Sequence, residues 1–289
     1  MTDLTTHTLG VPGAVLRYDV RSSPAGGFPL VMIGSPMGAA GFTSLAAHFP
    51  DRTVITYDPR GVERSVRADV EAEVTPEVHA ADVQAVIEAA GGGPVDVFGS
   101  SGGAVNALAL VATCPNLVRT LVAHEPPAVA LLPDAGDALA ACRAIHETYQ
   151  RSGFGAGMAQ FIALISLRGP VPPEFAAQPP PDPATFGMPV EDDGRRDDLM
   201  LGSNVLTVTA YRPEVDRLHA APTRIVVAVG AASDGQLAER GGLAVADLLG
   251  TSAVEFPGDH GGFLGGEYGQ SGDPEAFARR LREVLGDAA

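Results

Sequence analysis

A serine set among glycines, a histidine far downstream and two carboxylates are the side chains of this chain that could do chemistry together. In VDVFGSSGGAVNALAL an apolar β-type run at 95–98 feeds Gly99-Ser100-Ser101-Gly102-Gly103, followed by an Ala-rich helical pattern that stops near Cys114-Pro115. The pattern G-x-S-x-G is met by Gly99, Ser101 and Gly103 in the strand-turn-helix setting that a serine nucleophile of this type requires. Such a nucleophile sits in a strained backbone, and the chain two residues to either side passes so close that side chains are excluded. Ser101 meets that condition, whereas Ser100 would put Phe98 at a crowded position. The free N–H groups of the helix start behind Ser101 favour developing negative charge. A dinucleotide-binding loop fails on spacing, because G-x-G-x-x-G is absent and the motif lies on a mid-chain strand.

A serine hydroxyl attacks poorly until an imidazole takes its proton. Of the seven histidines, His260 is placed for this, in VEFPGDHGGFLG, after the last strand and before a final helix. His7, His48, His79, His146 and His219 lack such placement and are expected on the surface or on helix faces. A carboxylate must hold the imidazole in the right tautomer. Asp234, in GAASDGQ after the strand RIVVAVG, provides the chain order Ser, Asp, His and is favoured on that ground; Glu125, in HEPP after LVAH, is the alternative acid. If Glu125 is the acid, Asp234 reads as a turn residue or N-cap of a helix over 236–249. For a developing oxyanion, one donor is the backbone N–H of Gly102 and the second is expected from the loop GSPMG at 34–38, with Ser35 first and Met37 second.

These residues need a scaffold that brings strand ends together. Apolar, β-rich runs recur at 15–20, 30–33, 53–57, 95–98, 120–124, 224–229 and 253–256, with helical patterns between them. That alternation predicts an α/β fold with a mostly parallel central sheet flanked by helices. Thr75-Pro76-Glu77 starts one helix and Gly91-Gly92-Gly93 stops it; Asp273-Pro274-Glu275 starts another, with Phe277, Leu281 and Leu285 on one face. Between 126 and 211 the strand rhythm disappears. Helical segments around 138–151 and 156–167 and the Pro-rich PVPPEFAAQPPPDPATFGMP stand there instead. The expectation is a core of 1–125 and 212–289 interrupted by a helical cap or lid at 126–211.

Composition bounds the rest. The chain has 289 residues, 45% hydrophobic and 19% charged, which suits one globular core with an insertion. Its 35 acidic against 19 basic side chains leave a formal charge of -16, which repels phosphate backbones and anionic membranes, so nucleic acid and membrane are not expected partners. Cys114 and Cys142 form no metal-type pair and are expected as free thiols. The opening MTDLTTHTLG lacks a basic region followed by an apolar stretch, and a cytoplasmic protein is expected.

On these residues the chain resembles the α/β-hydrolase superfamily, and is similar to actinobacterial-type members that carry GSPMG, YDPRG, GSSGG, HEPP and GDHGGF. The similarity spans nearly the whole chain and is least in the cap. Members often have His-Gly-x-Pro where this chain has Ile33-Gly34-Ser35-Pro36, and Glu63 stands where D-x-R-G-x-G-x-S has its second glycine. The superfamily's acid usually lies about three residues after the strand-ending glycine. Here Ala231, Ala232 and Ser233 follow Gly230, and since some branches place the acid after the earlier strand, Glu125 stays open. The resemblance implies acyl transfer on an ester-like or other acyl small molecule, of the carboxylesterase, lactonase or thioesterase kind, with no metal or organic cofactor. On the same scaffold, a lyase, perhydrolase, cofactor-free oxygenase or biosynthetic cyclase is the rival, and a non-catalytic small-ligand-binding protein is a third.

Overall fold

An antiparallel hairpin opens the chain, β1 (Leu4–Val11) and β2 (Ala14–Arg21), turned at Gly13, whose φ of +76° disfavours any side chain. The computed structural model describes residues 4–68, 70 and 72–286. Further strands are β3 (Leu30–Ile33), β4 (Val54–Asp58), the short β5 (Val66–Arg67), β6 (Val95–Ser100), β7 (Val118–His124), β8 (Arg224–Gly230) and β9 (Val254–Phe256). They form one sheet in the order β1-β2-β4-β3-β6-β7-β8-β9, with β5 paired to β2. From β4 to β9 every pairing is parallel, while β1, β2 and β5 are antiparallel. The expected mostly parallel sheet is present. The unanticipated strands are β5, only two residues long, and β1, whose Thr-rich LTTHTLGV lies largely in solvent and so carries no apolar alternation to read.

Helices cover both faces: α1 (Thr43–Ala47), α2 (Pro76–Ala89), α3 (Gly102–Thr113), α4 (Ala135–Ile165), α5 (Val205–Thr207), α6 (Val215–Ala220), α7 (Leu237–Leu248) and α8 (Pro274–Leu285). The N-termini of α2 and α8 form as their sequences dictate. Thr75 accepts from the Val78 amide and Asp273 from the Ala276 amide, each with proline next in the chain. Period-2 alternation divides the strand side chains between the faces. Val31, Ile33, Val97 and Leu121 pack with Val83 and Val86 of α2 and Leu108 of α3. Leu30, Met32, Phe98 and Val122 pack on the opposite side with Phe42 and with Phe277 and Leu281 of α8. Helix α3 lies under the sheet with Gly102 to Ala112 all buried, which explains its apolar, unstriped sequence.

Between β7 and β8 the chain leaves the sheet. Helix α4 is broken at Gly153 (φ +82°, ψ -177°), where a Cβ would come within 2.3 Å of the Asp192 carboxylate. The break separates the two helical segments read from the sequence. A π-helical turn (Met200–Asn204) runs into α5, and Ala138, Ile145, Tyr149, Leu164, Leu201 and Val205 form a third apolar cluster. Among the described residues no helix is long and apolar enough to cross a membrane.

The aromatic cluster of Phe98, Phe256, Phe263 and Phe277, with ring centroids 4.9 to 5.6 Å apart, packs α8 on the sheet. Phe277→Ala is expected to lower unfolding free energy by about 3–5 kcal/mol in urea titration, as for large aromatic truncations in a packed core. The exposed Glu275→Ala should stay within about 0.5 kcal/mol of the parent.

Candidate active site

The parallel register sets the site. Gly99 of β6 pairs with Ile33 of β3 and with Ala123 of β7, and His124 pairs with Ala228 of β8. The carboxyl ends of the five neighbouring strands β3, β6, β7, β8 and β9 therefore stop at one edge, where the loops carrying Ser35, Ser101, Glu125 and His260 leave the sheet.

Ser101 occupies the turn between β6 and α3 with φ +57° and ψ -129°, a left-handed conformation rare for a residue with a side chain. The tightness of the turn is measurable. A Cβ on Gly99 would lie 2.9 Å from the Gly103 carbonyl oxygen, and one on Gly103 would lie 2.3 Å from the Ile33 carbonyl oxygen. The Ser101 amide donates to the His124 carbonyl at 2.9 Å, tying the turn to β7. Ser100 points the other way, buried, with its hydroxyl 3.2 Å from His124 Nδ1.

His260 presents Nδ1 to Glu125 Oε2 at 2.6 Å. Glu125 is fully buried, and its other oxygen accepts from the Gly230 amide at 2.8 Å. Burial pushes this carboxyl up, but the hydrogen bond from His260 and the charges of His124 and His260 outweigh it and hold the group down at about 2. An ionised carboxylate only accepts, so Nδ1 carries the ring proton and Nε2 remains for the cavity that His260 lines. Glu125 takes φ +47°, one more non-glycine residue in the left-handed region at this edge.

The geometry pairs His260 with Glu125, the alternative acid, and holds the favoured Asp234 apart from it. Ser233 N turns back on the Gly230 carbonyl, and Ala231 and Ala232 donate to Phe256 and Gly258 across to the neighbouring strand end. Asp234 is thereby carried out into solvent, where its backbone carbonyl receives Arg168. Nor is it the helix cap, since α7 begins after Gln236 without a side-chain cap.

Ser35 and Gly102 face each other: a Cβ on Gly102 would be 2.7 Å from the Ser35 carbonyl oxygen. Asp58 anchors the segment after β3 by accepting from the Ala39 amide at 2.8 Å. Glu63, at the position where a second glycine is common, adopts φ +47° and receives the Tyr268 hydroxyl at 2.8 Å.

These groups open on one cavity of about 490 Å³, lined by Ser35, Ser101, Gly102 and His260 below and by Phe161, Leu164, Met200, Val205 and Leu237 above. Among the described residues no Asp, Glu, Lys or Arg lines it. Cys142 lines it as a buried free cysteine, its thiol pushed up to about 11 by burial. The arrangement offers a hydroxyl, an imidazole backed by an ionised carboxylate, and amide donors in a pocket lined by no Asp, Glu, Lys or Arg among the described residues.

Sequence reasoning did not find Asn204 or His79. Asn204 sits in LGSNVLT with no local signature, while His79 lies four and seven residues before the buried Val83 and Val86 of α2, a spacing that marks the inward face. His79 therefore lies on a helix face, the inward one: it is fully buried and 3.4 Å from Asn204 Oδ1 through Nε2.

Comparison with known proteins gives a consistent family. A model of the alpha/beta hydrolase fold family matches residues 29–210. An uncharacterized hydrolase, YraK, of Bacillus subtilis (strain 168) is 29% identical over 294 residues, covering 96% of this chain and 95% of that protein. A thermophilic esterase from Thermogutta terrifontis superposes with a TM-score of 0.65 at 19% identity, covering 98% of each chain. The proline iminopeptidase of Mycobacterium smegmatis superposes with a TM-score of 0.64 at 20% identity, again covering 98% of each.

Burial lowers His124 and His79 to about 4 in the folded chain, against the usual 6.5. The unfolded chain therefore takes up these protons first, and each group withdraws about 3 kcal/mol of stability as pH falls from about 6.5 to 4, with no contribution above that window. Glu125, lowered instead, is stabilising above its usual 4.5 and loses that contribution as pH falls towards 2. Urea titrations at pH 7, 5.5 and 4.5 should show falling unfolding free energy. In His124→Phe the fall should be smaller, and an equal slope in both proteins would contradict the assignment.

Proposed function

The chain belongs to the α/β-hydrolase fold family, and from that premise we propose a serine hydrolase that cleaves a neutral, largely apolar acyl ester through an acyl-enzyme on Ser101. The observation that carries the reading is the buried Glu125 bonded to His260 at 2.6 Å, with that imidazole lining the same cavity as Ser101. The esterase likeness supports it at the level of fold.

In the proposed cycle Ser101 Oγ attacks the acyl carbon while His260 Nε2 takes the hydroxyl proton. The carbonyl electron pair moves onto oxygen, which the amides of Gly102 and Ser35 receive. Collapse of this intermediate breaks the bond to the alcohol oxygen, and His260 returns the proton to that leaving group. Water, deprotonated by the same imidazole, then releases the acid and restores Ser101. Throughout, Glu125 fixes the ring tautomer and stabilises the imidazolium without taking the proton. The segment 126–211 acts as a cap whose apolar side chains receive the acyl or alcohol portion, and the uncharged lining selects against ionised substrates because a carboxylate buried without a partner is strongly disfavoured.

A fluorophosphonate probe should label the protein at Ser101 and should label Ser100→Ala but not Ser101→Ala. Glu125→Gln is expected to reduce kcat by about 10⁴, by analogy with the acid of the worked serine triad, whereas Asp234→Asn should leave the rate nearly untouched. A crippled Asp234→Asn beside an active Glu125→Gln would refute the assignment of the acid.

The cavity makes a separate statement about substrate. On p-nitrophenyl esters, kcat/KM should rise from acetate to hexanoate, and a succinate half-ester should fall about 100-fold or more below butyrate of the same chain length. Comparable rates on the charged and neutral esters would argue against the uncharged pocket as the selecting feature.

A further inference from the structure

Three buried polar side chains from separate parts of the chain meet beside the cavity. Asn204, at the end of the π-helical turn, donates through Nδ2 to Ser35 Oγ at 2.9 Å, and its Oδ1 stands 3.4 Å from His79 Nε2. A carboxamide oxygen only accepts, so the His79 proton resides on Nε2, and the ring is neutral in the neutral range because burial lowers it to about 4. All donors then run one way, from His79 to Asn204 to Ser35. With one lone pair of the Ser35 hydroxyl occupied by Asn204, its own hydrogen is left to donate, and among the described residues it has no acceptor. The side chain is rooted over the oxyanion position: a Cβ on Gly102 would lie 3.2 Å from Ser35 Cβ, and Ser35, Ser101, Gly102 and Asn204 all line the one cavity.

We infer that the Ser35 hydroxyl is itself a donor to the oxyanion, in addition to the two backbone amides, and that Asn204 and His79 are positioning residues that aim it. The inference rests on the acyl-enzyme reading of Ser101. A chain of aligned hydrogen bonds polarises its terminal donor, and in a water-excluded site a donor already aimed at the developing charge needs no reorganisation when the charge appears. The same chain joins the segment between β7 and β8 to the oxyanion loop, so the third donor is complete only when Asn204 is seated. π-Helical turns of this kind recur at functional sites, where they redirect one side chain without ending the helix.

The test uses the second-order rate of fluorophosphonate labelling, since the phosphoryl oxygen occupies the oxyanion position, together with kcat and KM on p-nitrophenyl butyrate. Ser35→Ala is expected to slow labelling and lower kcat by about 100-fold with KM little changed, as for loss of one oxyanion donor. Ser35→Cys keeps the side-chain size but supplies a weak donor, and should lose about as much; Ser35→Thr should recover most of the rate. Asn204→Leu should slow the parent, yet add almost nothing in the Ser35→Ala background, because the chain acts as a unit. Labelling of Ser35→Ala and Ser35→Cys at the parent rate would overturn the inference while leaving the acyl-enzyme reading intact; it is also the result expected if the hydroxyl donated to Asn204 Oδ1 instead. Additive losses from Ser35→Ala and Asn204→Leu would overturn the positioning role. An unaltered protein that takes no label would overturn the parent reading and this inference together.

Discussion

A carboxylate sealed from water must obtain every one of its partners from the fold, and Glu125 is that group here. Its two oxygens are met by the Gly230 amide and by His260 Nδ1, and its own amide donates to Ala228. Remove either partner and an ionised group is left buried without compensation, a loss measured elsewhere at about 3–5 kcal/mol. The pairing of β7 with β8, the return of the chain after β9 and the placement of α7 are therefore conditions for one charge. Helix α7 can lie close because Gly241 and Gly242 face it: a Cβ on Gly241 would come 2.5 Å from the Pro126 carbonyl oxygen. Glu125 also adopts φ +47°, a conformation that only a well-determined surrounding structure sustains.

The same economy of space governs the turn at Ser101. Three backbone segments, from β3, β6 and α3, approach to distances that admit no Cβ at Gly99 or Gly103. Ser100 and Ser101, adjacent and chemically identical, are thereby set apart: both border the cavity, but the Ser100 hydroxyl lies 3.2 Å from Nδ1 of the buried His124, whereas Ser101 takes the strained turn. His124 is held neutral by burial among Phe98, Phe256 and Phe277, so the imidazole beneath the Glu125–His260 pair adds no lasting positive charge to it at neutral pH.

The helical segment between β7 and β8 determines what can reach the edge of the sheet. Its apolar side chains roof the cavity and supply no charge among the described residues, whereas Asn204, the amide of this segment that lines the cavity, is bonded to Ser35 and stands 3.4 Å from His79. One turn of helix thus brings apolar and polar side chains to the cavity together, with Met200 and Val205 lining it beside Asn204.

Legibility in the sequence followed the range of the physics. Strands buried on both faces of a parallel sheet are mostly apolar, so 30–33, 95–98 and 120–124 could be read directly despite Asp96, Thr120 and His124 among them, and local capping chemistry marked the starts of α2 and α8. The position of Ser101 was legible because the glycines at 99 and 103 flank it within five residues, although part of the crowding that requires them comes from Ile33 on β3. The exposed β1 left no pattern, and chain order favoured Asp234, which the fold keeps away from His260. Asp234 and Glu125 both follow strands of the parallel sheet, and nothing in either neighbourhood states which one faces His260. That was decided by hydrogen bonds across strands, from Ala231 to Phe256 and from Gly230 to Glu125, between residues up to 105 positions apart. The bonds of Asn204 to Ser35 and His79 span 169 and 125 positions. The sequence by itself determined the sheet, the sharp turn and the side chains able to do chemistry there, since each depends on neighbours along the chain; which carboxylate and which amide complete the site depended on packing between distant segments, and only the tertiary structure decided it.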